Sequence, residues 1–379
     1  MLTRAGWILA IAGLAAGVAG RILATTELTL VGVALIGVTA AALIRAWFRR
    51  PNLVIDRKIV PPRVHVGDGA QVEVSVSNRA NRPSPVVRLT DQIADRRPTS
   101  LGVAPLAPGA NRSAGYRLAT DHRGRIEIGP LSGDIEDPLG LTRRSWDAGG
   151  LVELRVLPRV TQLQEVDAIA SVGANPSGST RPGTGGDFHA LRPYVPGDDL
   201  RLMHWSATAR LDEPVIRQYS DPVRDRLLVI ADVRTAHNGD ESFEALLSAF
   251  ASVLVSVGHG EVEVGAMRSD QAAVTWLASD AQRVGALDEL ADIQPTEHEI
   301  HRVFREVSTE QGRGTGVVVL TRRAGHVGGS LTRMSRGAPG VRIAVFRGPD
   351  TAPSDEPGIM ELGPGAQFGP AWTALSTGS

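Results

Sequence analysis

Two uncharged, mostly apolar stretches, Ala5–Gly20 and Leu28–Ile44, open the chain, and a short connector between them carries Arg21 and Glu27. A helix needs about 20 apolar residues to cross the hydrocarbon core of a bilayer, with about 17 at the low end. The second stretch meets that length. The first meets it if Arg21 snorkels to the interface. Gly13, Ala16, Gly17 and Gly20 would let two such helices pack closely. A transmembrane helical hairpin is therefore expected within residues 1–50, with helices over about 5–23 and 28–48. A cleaved signal peptide and a buried soluble hairpin are the competing readings, and the second apolar stretch argues against cleavage. Arg45, Arg49, Arg50, Arg57 and Lys58 follow the second stretch, whereas the connector offsets one Arg with one Glu. The positive-inside rule then puts both termini, and the bulk of the chain, in the cytoplasm.

The 379 residues suit two or three domains. A formal net charge of -1 gives the whole molecule no excess for binding polyanions. The lack of any cysteine excludes disulfides, thiolate zinc sites, iron–sulfur clusters and a cysteine nucleophile.

From Pro51 the pattern changes to period two. Val64 and Val66, then Val72, Val74 and Val76, predict a half-buried strand pair joined through Gly67-Asp68-Gly69. Short runs such as PVVRLT, GRIEIG and VELRVLP follow between Gly and Pro residues, which predicts a β-sandwich-like domain over 51–160. It shows no cluster of catalytic residue types, so a spacer or docking role is expected. Residues 161–222 then combine a linker with a distinctive segment. Ser171–Gly186 is rich in Gly, Ser, Pro and Thr but lacks the Gly-Lys-Ser/Thr ending of a phosphate loop.

The segment LRPYVPGDDLRLMHWSATAR, Leu191–Arg210, turns at Pro196-Gly197. Asp198 can cap a helix running to Arg210, with Asp199 in its first turn. Arg201 and Trp205, four apart, could stack on one face, with Leu200, Met203 and Ala207 packed inward. Arginines and acids balance between Arg181 and Tyr219, which argues against a nucleic-acid surface. Two readings remain. Internal charge pairs could shape a folded collar, or Arg192, Tyr194, Asp198, Asp199, Arg201, Trp205 and Arg210 could dock a partner protein. His189 and His204 lack a nearby third ligand and read as structural.

Residues 223–379 alternate strand and helix. RLLVIADV, EVEVGAM, GVVVLTR and VRIAVF read as strands, and ESFEALLSAFASVLVSVG and TEHEIHRVFREVS as helices. This order predicts a doubly wound, mostly parallel sheet, with Asp232 and Thr321 at the strand ends where such sheets bind ligands.

Five short stretches carry a family resemblance: RGRIEIGP with DPLGL at Asp137–Leu141, the Leu191–Arg210 segment with VIRQY after it, and LLVIADVR. The chain resembles the DUF58 family of bacterial membrane proteins, whose C-terminal part is a von Willebrand factor A-like domain. The resemblance implies a multidomain fold: a transmembrane hairpin, a β-sandwich-like middle domain and an α/β von Willebrand factor A-like domain. Relatives are commonly encoded beside MoxR-type AAA+ ATPases and transglutaminase-like proteins, so it implies partners of those kinds. An intact A domain binds Mg²⁺ through Asp-x-Ser-x-Ser, and hard cations require such oxygen ligands. Here Asp232 is followed by Arg234 and Ala236 at the two serine positions, and Arg322 stands where an Asp is common. Metal binding is therefore not expected, and neither is any other cofactor. Arg234 or Arg322 would substitute for the ion, either by pairing with Asp232 or by presenting a positive site to an acidic partner group.

The expected function is a membrane-anchored, non-enzymatic interaction or scaffold component. The sequence shows no Gly-x-Ser-x-Gly elbow and no paired His–carboxylate motif. The alternatives are a hydrolase or other enzyme with its site near Asp232, and an outward-facing envelope-binding protein.

Overall fold

The computed structural model describes residues 1–48, 52–94, 96–164, 166, 169–170, 182–183, 187–196, 198–211, 213–220, 225–235, 239–258, 262–297, 301–312, 315–322, 340–348 and 359–377. Arg49, Arg50, Arg181, Gly197, Ala236 and most of the Ser171–Gly186 linker lie outside them. The chain forms two compact units, Met1–Leu157 and Pro158–Ser379.

In the first unit, α1 (Arg4–Ile22) and α2 (Thr26–Phe48) form an antiparallel hairpin. Both are long and apolar enough to cross a membrane. Ile8, Ile11, Leu14, Leu30 and Val33 point outward and stay exposed, which suits a lipid environment. Between the helices the backbones nearly touch. A Cβ on Gly32 would lie 2.4 Å from the Gly17 nitrogen, and one on Gly20 would lie 2.5 Å from the Thr29 nitrogen. Glycine is required there because any side chain would force the helices apart.

Two sheets follow. One has the antiparallel order β1-β3-β6, formed by Leu53–Val60, Ala70–Asn78 and Asn111–Leu118. The other has the order β2-β9-β7-β4-β5, formed by Arg63–His65, Val152–Leu157, Gly124–Glu136, Val87–Ile93 and Thr99–Val103. Strand β8 (Arg143–Gly149) also pairs with β7. Alternate residues of both sheets, including Val72, Val74 and Val76 of β3 and Leu89, Ile128 and Leu154 opposite, share one buried core. Burial of such alternating faces is what drives the sandwich. The expected hairpin through Gly67-Asp68-Gly69 does not form. Strand β2 pairs in parallel with β9, whereas β3 pairs with β1 and β6. Period two fixes which face a residue takes, not which strand it pairs with, and here the turn carries the chain from one sheet to the other.

A polar lock joins the two sheets. The Arg57 guanidinium on β1 donates to the Asp91 carboxylate on β4 and to the Gly150 carbonyl. The Tyr116 hydroxyl on β6 donates to the other Asp91 oxygen at 2.8 Å. Burial, then the hydrogen bond to Asp91, push the Tyr116 phenol well above its ordinary value. Arg57 was counted above among the charges that orient the hairpin. Its side chain is only 4% exposed, so in the folded protein it belongs to the sandwich interior.

In the second unit, β10 (Pro182–Gly183), β11 (Asp187–Pro193) and β12 (Val215–Ser220) make a small antiparallel sheet in the order β10-β12-β11. A larger sheet has the order β15-β14-β13-β16-β17-β18. Its strands are β13 (Asp225–Ala231), β14 (Val262–Arg268), β15 (Thr275–Leu277), β16 (Gly316–Thr321), β17 (Val341–Phe346) and β18 (Ile359–Leu362). All pairings are parallel except β14 with β15. Leu228 and Ile230 of β13 share a buried cluster with Val303 and Val307 of a helix over His301–Gly312. The intervening Leu227 and Val229, equally buried, take the opposite face. The helix over Gly239–Ser256 packs on β13, β16 and β17. Edge strands β15 and β18 and the helices Asp280–Leu290 and Phe368–Thr377 escaped the sequence reading because their apolar runs are short.

Candidate functional site

The strand order reverses between β13 and β16, the two central strands of the large sheet. Ligand chemistry in doubly wound sheets gathers beyond the carboxyl ends of strands at such a reversal. Asp232 follows β13, and Thr321 ends β16 beside it. The Asp232 N–H donates to the Leu320 carbonyl at 2.8 Å, which ties the residue to the end of β16.

Both carboxylate oxygens of Asp232 are taken. Arg234 Nε donates to Oδ1 at 2.8 Å and Arg234 Nη2 to Oδ2 at 2.7 Å, a bidentate fork. Thr321 Oγ1 adds a 2.7 Å bond to Oδ2. Ser269 Oγ lies 3.4 Å from Oδ1 and also accepts from the Val233 N–H at 3.0 Å. Arg322 Nη2 donates to the Arg234 carbonyl at 2.5 Å, and its guanidinium lies 4.7 Å from the Phe243 ring centroid. Asp232, Arg234 and Arg322 are all buried. Burial pushes the Asp232 carboxyl up, but the Arg234 fork and charge, with Thr321, outweigh it and hold the group below the usual carboxylate range.

These residues do not fit Mg²⁺. A hard cation would have to displace a guanidinium from both carboxylate oxygens and sit among two cations. Among the described residues there is no group of three or more His, Asp or Glu able to hold a metal. Ala236 lies outside those residues. Of the two expected arginine roles, Arg234 takes the internal pair. Arg322 braces the Arg234 backbone. The parts played by Ser269 and Phe243 were not visible in sequence, because both come from distant segments.

The Leu191–Arg210 segment has a different local build. Arg192 and Asp198 form a second bidentate fork, with Nη1 to Oδ2 at 2.8 Å and Nη2 to Oδ1 at 2.6 Å, and the Val195 N–H joins it at 2.9 Å. The Arg192 bond, then the Val195 N–H, hold the Asp198 carboxyl below its ordinary value. Asp198 therefore closes a turn rather than capping the helix. Asp199 does the capping, accepting from the Arg201 N–H at 3.0 Å over a 3-10 turn at Leu200–Leu202. The single expected helix is broken, and α3 spans only Trp205–Leu211. His204 starts α3: its Nδ1 accepts from the Ala207 N–H at 3.1 Å, and its own N–H bonds the Val215 carbonyl at 2.9 Å. This break puts Arg201 and Trp205 in separate elements, so the four-residue stacking geometry is lost. Leu200, expected inside, is exposed, as are Val195 and Leu211. Asp199, Arg201 and Arg210 are exposed, Tyr194 is half-buried, and Trp205 is 69% exposed.

The architecture is thus that of a two-helix chain with a β-sandwich and a doubly wound α/β unit. Residues 190–326 match the family described as "Protein of unknown function DUF58". Uncharacterized proteins of Mycobacterium bovis and Mycobacterium tuberculosis are 30% identical over 151 residues, 38% of this chain and 43% of theirs. The match therefore spans less than half the length of those relatives. The CARDB domain of a Pyrococcus furiosus protein aligns at 17% identity and a TM-score of 0.22, over 29% of this chain and 96% of that one. A β-glucosidase from Erythrobacter marinus aligns at 16% and 0.20, over 28% and 16%. Likenesses this slight leave the fold to rest on the strand pairing itself.

Proposed function

We propose that this chain is a membrane-anchored, non-enzymatic interaction component whose α/β unit is a von Willebrand factor A-like domain with an arginine in place of its metal ion. The observation that carries this reading is the Arg234 fork on Asp232. It fills the strand-end position where a ligand or a reacting group would otherwise sit. The strand order and the place of Asp232 beside its reversal support the A-like assignment.

The docking surface is the Leu191–Leu211 segment, where Trp205 is presented with Leu200, Leu211, Arg201 and Arg210 around α3. Exposed Trp and Arg of this kind are common at interface hot spots. The partner is a MoxR-type AAA+ ATPase, and a transglutaminase-like membrane protein is a second candidate. The soluble units face the cytoplasm. Arg4 and Arg45 lie at the same end of the hairpin as the sandwich, as the positive-inside rule asks.

Crosslinking in native membranes followed by mass spectrometry tests the reading. Trp205→Ala is expected to keep the melting temperature and to cut the ATPase crosslink about tenfold or more, a hot-spot loss of at least about 1.4 kcal/mol. An unchanged crosslink with Trp205→Ala sinks the docking surface. Substrate turnover by the purified protein, or protease cleavage of its bulk in intact cells, sinks the function.

A further inference from the structure

A cavity of about 180 Å³ lies where α2 meets the sandwich in the first unit. Arg45 at the end of α2, Arg144 on β8, and the apolar side chains of Pro85, Val86, Ile135 and Pro138 line it. Arg144 Nη1 reaches the Ala46 carbonyl at 3.5 Å, so β8 and α2 share one wall. Its neighbour Arg143 faces elsewhere and has Asp134 at 3.4 Å and Glu136 at 3.7 Å. Neither Arg45 nor Arg144 has an ion-pair partner among the described residues. One carboxylate, Asp137, also borders the cavity. The N–H groups of Leu139, Leu141 and Thr142 hold its oxygens at 2.7–2.8 Å. Two cations therefore face one anion whose lone pairs are already engaged.

The hairpin supplies one side of this cavity. The N-terminal ammonium of Met1 donates to the Arg143 carbonyl at 2.9 Å, and the Thr3 hydroxyl donates to the Gly140 carbonyl at 2.6 Å. The start of α1 is thus pinned to the same edge of the sandwich that receives the end of α2. Trp7 and Trp47, both exposed, mark this end of the two helices. Indoles settle at the headgroup level of a bilayer. Val86 and Leu139, also exposed, present apolar surface at the same edge.

We propose that this cavity binds the phosphate of an anionic phospholipid, with Arg45 and Arg144 as its ligands and Val86 and Pro138 against the glycerol and upper acyl region. The proposal rests on the membrane reading of the hairpin. A single bound lipid bridges α2 and β8 and so holds the sandwich at a fixed attitude to the bilayer.

The test uses the full chain in nanodiscs of phosphatidylcholine alone or mixed with phosphatidylglycerol, with retained lipids counted by native mass spectrometry. The wild type is expected to retain phosphatidylglycerol in preference to phosphatidylcholine. Arg45→Gln and Arg144→Gln should each cut that preference about fivefold, as loss of one interfacial cation implies. Arg143→Gln should leave it unchanged. No preference in the wild type, or an equal loss with Arg143→Gln, overturns the proposal. Displacement of the lipid by inorganic phosphate would assign the cavity to a soluble phosphate and overturn the lipid reading. Failure to enter even phosphatidylcholine discs would overturn the membrane reading itself.

Discussion

Among the described residues, two aspartate–arginine pairs lie almost wholly out of solvent, and they are built in opposite ways. Asp91 and Arg57 are 34 residues apart and meet across two sheets, with side chains 1% and 4% exposed. Asp232 and Arg234 are two residues apart and meet within one turn of chain, with side chains 2% and 9% exposed. A pair joined across the core forms only when the sandwich forms. A pair joined by two peptide units is partly available to the unfolded chain, so less of its energy favours folding. The distant pair is a lock on the fold. The adjacent pair closes on itself at the end of one strand.

The largest expected effect comes from breaking the lock. Asp91→Ala leaves the Arg57 charge and the Tyr116 hydroxyl without their acceptor inside the sandwich. Removing one partner of a buried pair costs about 3–5 kcal/mol. Chemical denaturation of the full chain in detergent should show the transition of the first unit shifted by that amount. A loss below about 1 kcal/mol would mean that water or a neighbour replaces Asp91, and the contrast would fail.

Arg234→Ala comes next, at about 2–3 kcal/mol in the second unit, because Thr321 and Ser269 still serve Asp232. The pH dependence sharpens the comparison. In the wild type the Asp232 carboxyl is held below its ordinary value. Its contribution is then fully present above about pH 4 and is lost as pH falls through the lowered folded value. Without Arg234, burial prevails and raises the carboxyl, so the same group should cost stability as pH rises. Melting curves across pH 3–7 should show that change of slope, and an unchanged slope would mean that Arg234 does not set the charge of Asp232.

The smallest effect belongs to a partly exposed pair, Arg192 and Asp198, with side chains 38% and 20% exposed. Solvent screens this fork, and pairs of that kind contribute little. Asp198→Asn should leave the melting temperature within error and loosen only the Val195–Asp198 turn, read as faster amide exchange at Val195. A clear drop in melting temperature would show that the turn supports the whole unit.

Reading these pairs from sequence alone succeeds or fails by distance. Asp232 at the end of RLLVIADV was legible because a continuous apolar run ending in Asp announces a buried strand and its edge. Arg234 was legible as its neighbour. The place of Arg57 in the core was not legible, because a charge shortly after an apolar helix looks like an interfacial charge when its partner lies in another strand. The helix break at Met203–His204 was also invisible. Helical spacing runs unbroken through the segment, and the bond from His204 to Val215 with the bridge from Met203 to Ile216, both on β12, competes with continuing the helix.

By itself the sequence determined two apolar stretches long enough to cross a membrane, the change from period two to strand–helix alternation, and the arginine two residues after Asp232. Each is a property of neighbouring residues: length, periodicity and side-chain type. Only the tertiary structure decided that β2 and β3 part into different sheets, that Arg57 belongs to a core, and that Arg45 and Arg144 face one cavity. Those facts depend on segments tens of residues apart. Burial and hydrogen bonding select among such pairings only when the whole sheet is assembled.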